Sequence, residues 1–216
     1  MTAPEREMKC LPVLIMLASL SAIACAKENL ASVPVMREVQ FDACHFRLKD
    51  AYGGDLSATK YSTPAQANYS ANFHPKAKRP FETSIQFSCM NPVTPEALSD
   101  RAGIIMTSHG WALDRSPDNI GPKTQHTTFQ PLNGKGWKGG GVTQDDINGD
   151  EANRRRVFAF CIPHGTVALC GVARHVAYLR KLKESVLPQT VQLLESIEFI
   201  GAPANAQASG VEAAHP

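Results

Sequence analysis

The clearest alternation in the chain runs from Phe81 to Cys89, where Phe81, Thr83, Ile85, Phe87 and Cys89 share one side and polar residues take the other. A two-residue period of this kind predicts a strand with one buried face. Phe41 to Leu48 repeats it more briefly, with Cys44, Phe46 and Leu48 aligned. Two apolar runs, Arg155 to Ile162 and Thr166 to Ala173, predict an antiparallel pair, and His126 to Leu132 and Gly136 to Gln144 predict two further strands. Between them, residues 49–80 are rich in Gly, Ser, Thr, Asn and Pro and read as an irregular excursion. A second loop-rich stretch is expected over Leu113 to Lys123.

Helical signals are fewer. Thr94-Pro95-Glu96 combines an N-cap, a first-turn proline and an acid at the positive end of the helix dipole. Leu98, Ala102, Ile105 and Met106 extend it as an apolar stripe, and Gly110 is the expected stop. A helical region is expected around Val176 to Lys183, and Pro188 opens another helix carrying Val191, Leu194 and Ile197. A short strand, Ser196 to Ile200, closes the pattern. The predicted class is α+β, an antiparallel sheet with helices packed on one side and braced by disulfides.

The two ends of the chain read differently. Leu11 to Ala24 is apolar, too short for a permanent span, and ends in the small-residue steps Ala22-Ile23-Ala24 and Ala24-Cys25-Ala26. That is the form of a signal peptide over residues 1–26, with Cys25 as a lipidation candidate if Ala22-Ile23-Ala24 serves as a lipobox. The expected address is the periplasm, soluble or anchored to an envelope membrane by lipid. Residues 27–200 read as a single domain, and residues 201–216 as a disordered tail with almost no large apolar side chain.

Export changes the reading of the cysteines. Six are present, and Cys44, Cys89, Cys161 and Cys170 belong to the domain. In an oxidising compartment they form a disulfide set, with three connectivities formally open. A tight turn at Gly165-Thr166 sets Cys161 opposite Cys170, which leaves Cys44 for Cys89. A zinc site from Cys161, His164, Cys170 and His175 is the competing arrangement, and its spacing fits no standard finger.

Charge changes little. Twenty-two basic and 20 acidic residues leave a formal +2, too near neutral for a nucleic-acid surface. Local motifs are more informative. Asp145-Asp146-Ile147-Asn148-Gly149-Asp150-Glu151 spaces oxygens like the start of a calcium loop, but Glu151 stands where the loop needs Gly. It reads better as an acidic hairpin tip on an Asn-Gly turn. In Arg154-Arg155-Arg156 the outer two share one strand face and Arg155 takes the other. Gly134 to Gly141, with Trp137 inside it, lacks the Lys-Ser/Thr ending of a phosphate loop, and its glycines point to close backbone approach. Trp137 reads as an exposed contact beside them. Trp137, Asp145, Asp146, Asp150, Arg154 and Arg156 are therefore the partner-binding candidates.

No nucleophile elbow and no His-Glu-x-x-His pair occurs in the chain. Catalysis, a metal and a cofactor are not expected. An exported hydrolase using His109, His126 or Asp114 would need those residues to converge.

The order of the last third, with Gly136-Trp137 opening one strand and Leu193-Leu194-Glu195-Ser196-Ile197-Glu198-Phe199 closing the domain, resembles the PsbP-like fold over residues 94–200. Similar small exported proteins include immunity proteins that neutralise type VI secretion toxins in the periplasm. The resemblance implies an envelope protein that binds a partner protein, most specifically an inhibitor of a periplasm-acting toxin. The alternative is an accessory envelope lipoprotein held through Cys25.

Overall fold

The computed structural model describes residues 33–59, 63–117 and 119–201; the signal segment, Cys25 and the tail beyond residue 201 lie outside them. Twelve strands form three sheets among the described residues. The largest has seven antiparallel strands in the order β3 (Asp55–Thr59), β4 (Gln66–Ala71), β5 (Thr83–Met90), β11 (Val167–Tyr178), β10 (Arg155–His164), β9 (Trp137–Asp145), β8 (Thr128–Gly134). A three-stranded sheet joins β1 (Val35–Phe41), β2 (Cys44–Asp50) and β12 (Glu198–Phe199), and β6 (Ile104–Thr107) with β7 (Gly110–Leu113) forms a separate hairpin.

The expectation of an α+β fold is overturned. Strands take 49% of the described residues and helical segments 16%, so the protein is mostly β. Its two longer helices, α1 (Pro95–Ala102) and α2 (Leu187–Glu195), also sit on opposite faces of the seven-stranded sheet. Alternation along β10 shows this directly. Phe158, Phe160 and Ile162 point into a core shared with Phe46, Leu48, Leu193 and Leu194 of β2 and α2. Cys161 points the other way, into a smaller cluster with Leu98 and Ala102 of α1 and Ile104 of β6. We call these the inner and outer faces.

Each departure from the sequence expectation has a local cause. Residues 49–80 hold β3 and β4, whose alternation is faint because the buried side of β4 is Ala67, Tyr69 and Ala71 while Gln66, Asn68 and Ser70 stay half-buried. The helix opened by Thr94, whose Oγ1 accepts the Ala97 N–H at 3.2 Å, stops at Ala102 and not near Gly110. Gly103 takes the left-handed cap at φ 63°, and Ile105 and Met106 pass into β6. Val176 to Tyr178 extends β11, and only Leu179–Glu184 is helical, as a 3-10 stretch.

The strand order expected for the last third is present, but its final strand leaves the main sheet. Glu198 and Phe199 pair with Arg47 and Phe46 of β2. Glycines at the middle of β9 let neighbours close in: a Cβ at Gly141 would lie 2.4 Å from the Ala159 carbonyl oxygen and 2.6 Å from the Phe158 ring. The Gly-rich run is therefore a packed strand.

Two disulfides form. Cys161 and Cys170 are register partners across β10–β11, closed by Gly165 and Thr166. Cys44–Cys89 joins β2 to β5 and so ties the small sheet to the large one. Both bonds belong to an oxidising, extracytoplasmic setting. They also occupy the cysteines that a zinc site would have needed. No helix among the described residues is long and apolar enough to cross a membrane.

Candidate partner-binding basin

Asp145 ends β9 directly opposite Arg156 near the start of β10. The register turns two sequence-distant charges into a fork: Arg156 Nε donates to Asp145 Oδ1 at 2.6 Å and Nη2 to Oδ2 at 2.9 Å. Asp145 is 5% exposed, so its carboxylate depends on this bidentate pairing. Asp145's hydrogen bonds hold the Arg156 guanidinium above its usual range, against a smaller opposing effect of burial. A third group arrives from the loop before β8. His126, in the left-handed region at φ 46°, places Nδ1 3.0 Å from Asp145 Oδ2.

These three residues form one wall of an open basin of about 710 Å³. Leu179 and Leu182 of the 3-10 stretch, with Ile147, supply its apolar surface, and Lys123 and Arg154 add cations. Leu182 is 43% exposed, unusual for a leucine of its size in this molecule. Neither Lys123 nor Arg154 meets a carboxylate among the described residues; Arg154 Nε donates to the Gly149 carbonyl at 3.3 Å.

The basin gathers four of the six residues singled out from sequence: Asp145, Asp146, Arg154 and Arg156. Arg155 lines a different depression on the outer face, as the alternation of the arginine run requires. Asp146 also accepts the Arg155 N–H at 3.1 Å. Asp150 works inside its own turn, accepting from the Ala152 N–H at 3.1 Å and Asn153 Nδ2 at 2.7 Å. That geometry spends on the turn an oxygen that a calcium loop would have used.

Trp137 is a correction. It was expected at the surface, but it is 6% exposed and its Nε1 donates to the Ile197 carbonyl at 2.8 Å. Position two of a Gly-Trp strand start carries no sign of which face is inward; here the inner core claims the ring. Sequence reasoning also failed to connect His126, Leu179 and Leu182 to the acidic tip, because only the β9–β10 register and the 3-10 turn bring them together.

The residues named for a hydrolase do not assemble. Asp114 binds Ser99, the Ser116 N–H at 2.9 Å and Asn119 Nδ2 at 2.9 Å, and this set of donors, Ser99 first, holds its carboxyl below the usual range. His109 sits in the β6–β7 turn, where its N–H donates to Thr107 Oγ1. His126 is committed to Asp145.

No protein-family model, curated protein or solved structure matches this chain. Its class rests on its own geometry: a disulfide-tied, mostly β domain with a charged, partly apolar basin at one end of its inner core.

Proposed function

We propose that this protein is exported to the periplasm and binds a partner protein there, most specifically as an immunity-type inhibitor of a toxin that acts in that compartment. The observation that carries the reading is the basin's composition. Exposed Leu182 and half-buried Leu179 lie beside Lys123 and Arg154, two cations with no carboxylate of their own, on a wall fixed by the Asp145–Arg156 fork. An acidic partner segment with an apolar tip matches this surface, burying its tip on the leucines while its carboxylates meet the cations. The rigid wall means that little order has to be gained on binding.

The test is affinity purification of a C-terminally tagged chain from its native envelope, followed by a toxicity assay of whatever co-purifies in stoichiometric amount. A partner that is toxic alone, is neutralised by this protein and is released by K123E/R154E supports the proposal. Recovery of the protein alone, or neutralisation that survives K123E/R154E and L182E, sinks it.

A further inference from the structure

The outer face carries a second depression, distinct in chemistry from the basin. It is a polar groove of about 610 Å³ beside the end of α1, lined by Gln66 and Gln86, Asn153, and three arginines, Arg101, Arg155 and Arg174. The residues come from β4, β5, β11 and β10, from α1 and from the β9–β10 connection, which supplies Asp146 and Asn153, so the groove crosses four adjacent strands. Three inter-strand gaps span about 14 Å, at roughly 4.8 Å each.

Its charge is unbalanced. Arg101 and Arg155 make no side-chain ion pair or hydrogen bond among the described residues, and Arg174 Nη2 spends one donor on Gln86 Oε1 at 3.3 Å. The one carboxylate in the lining, Asp146, accepts the Arg155 backbone N–H and pairs with no guanidinium. The neutral polar groups are held in place. Gln86 Nε2 donates to Gln66 Oε1, and Arg79 Nη2 fixes Asn153 through its Oδ1 at 2.9 Å. Opposite Val157 on β10, strand β11 carries three residues, Arg174, His175 and Val176, in place of one. That bulge bends β11 beside the groove, as bulges do where a strand re-aims its side chains.

We propose that this groove binds a small polyanion bearing two or more carboxylate or phosphate groups. Guanidinium forks recognise both groups bidentately, which makes arginine the fitting residue for either. Arg155 and Arg174 stand on the adjacent strands β10 and β11 and Arg101 joins them from α1, and three guanidiniums with no carboxylate partner among the described residues are matched by a ligand that carries more than one negative charge. The volume suits a small molecule. The lining holds no aromatic ring on which a sugar or base would stack.

Citrate and pyrophosphate are the probes, measured by titration calorimetry on the full domain with acetate as the monoanion control. At least one of them should bind tighter than about 1 mM, with acetate undetected. Preference for citrate assigns carboxylate chemistry, preference for pyrophosphate assigns phosphate chemistry, and either supports the site. R155Q/R174Q should weaken binding at least about tenfold and R101Q severalfold, with unchanged melting curves. R154Q, which alters the basin on the other face, should bind as the unaltered protein does. Absence of binding by both probes overturns the proposal. So does R155Q/R174Q binding unchanged, or R154Q causing the larger loss. None of these readouts needs the partner protein, so this site and the inhibitor reading stand or fall separately.

Discussion

Arg155 and Arg156 are neighbours in sequence and opposites in the fold. Arg156 lies on the inner face, clamped by a nearly buried carboxylate; Arg155 lies on the outer face with its guanidinium unpaired among the described residues. The same contrast runs across the seven-stranded sheet. Its inner face packs Phe87 against Phe46 with ring centroids 5.3 Å apart, and against Phe160 at 5.9 Å. Its outer face is covered over one patch by α1 and β6, and elsewhere presents Gln, Ser and Arg. The inner face is where charge must be matched to be tolerated, and the outer face is where charge is left available. Stability should therefore respond to the first and binding to the second.

The largest expected effect lies in the staple of the inner face. Cys44–Cys89 closes 45 residues and Cys161–Cys170 closes 9. Loop-closure entropy then favours the longer bridge, about 4 kcal/mol against about 2.6. Urea denaturation of C44A/C89A should lose more stability than that of C161A/C170A. Equal losses would mean that the inter-sheet staple has no special place in holding the layers.

The Asp145–Arg156 fork comes next. D145A leaves a half-buried guanidinium without its partner and should cost about 3 kcal/mol by the same measurement. D145A/R156M should recover much of that loss, because an apolar replacement of both partners removes the orphaned charge. If the double variant is as unstable as D145A, the cost lies in lost packing and not in unmatched charge.

His175 gives the contrast a pH signature. It is buried and stacked on Phe81 at 3.7 Å, and its Nε2 has no hydrogen-bond partner. Burial first, then the nearby cations Arg155 and Arg79, push its pKa down to about 4 from an ordinary 6.5. The unfolded chain takes up a proton below 6.5 that the folded chain refuses until about 4. Stability should therefore fall as pH drops through that window, by up to about 3 kcal/mol, and level off for this group below it. Asp50 does not confound the window. Burial alone would raise its pKa, but hydrogen bonds from Tyr69, the Tyr52 N–H and Arg37 together hold it below the usual range, so its contribution is lost only at lower pH. H175F should flatten most of the slope between pH 6.5 and 4, the remainder belonging to His164, whose pKa burial also lowers; a slope undiminished by the change assigns it to another group.

How far the sequence could be read follows the same division. β5 was legible because large apolar and polar residues alternate along it, and the β10–β11 hairpin and its disulfide because two apolar runs flank the strong turn at Gly165-Thr166. β3 and β4 were not, since their outer side is polar and their inner side mostly alanine. The helix stop at Gly103 was overlooked because Ile105 and Met106 continue the helical spacing past it. In the basin, Asp145, Asp146, Arg154 and Arg156 were visible as local charge. Their relation to His126 and Leu182 was not, because β-register and a 3-10 turn create it and neither leaves a periodic trace.

The smallest expected stability effect lies on the outer face, and it sharpens the comparison most. Arg155 and Arg174 are exposed, and neither closes an ion pair among the described residues. Removing their charge leaves no buried partner unsatisfied, so R155Q/R174Q should unfold within about 0.5 kcal/mol of the unaltered protein in urea at pH 7. Relief of three clustered cations would even favour a slight gain at low salt, fading as salt screens the repulsion. A loss of 2 kcal/mol or more, on the scale of a broken buried pair, would show that these arginines hold the sheet together. The outer face would then be a second structural surface, and the idea that it keeps its charge for a ligand would fail with it.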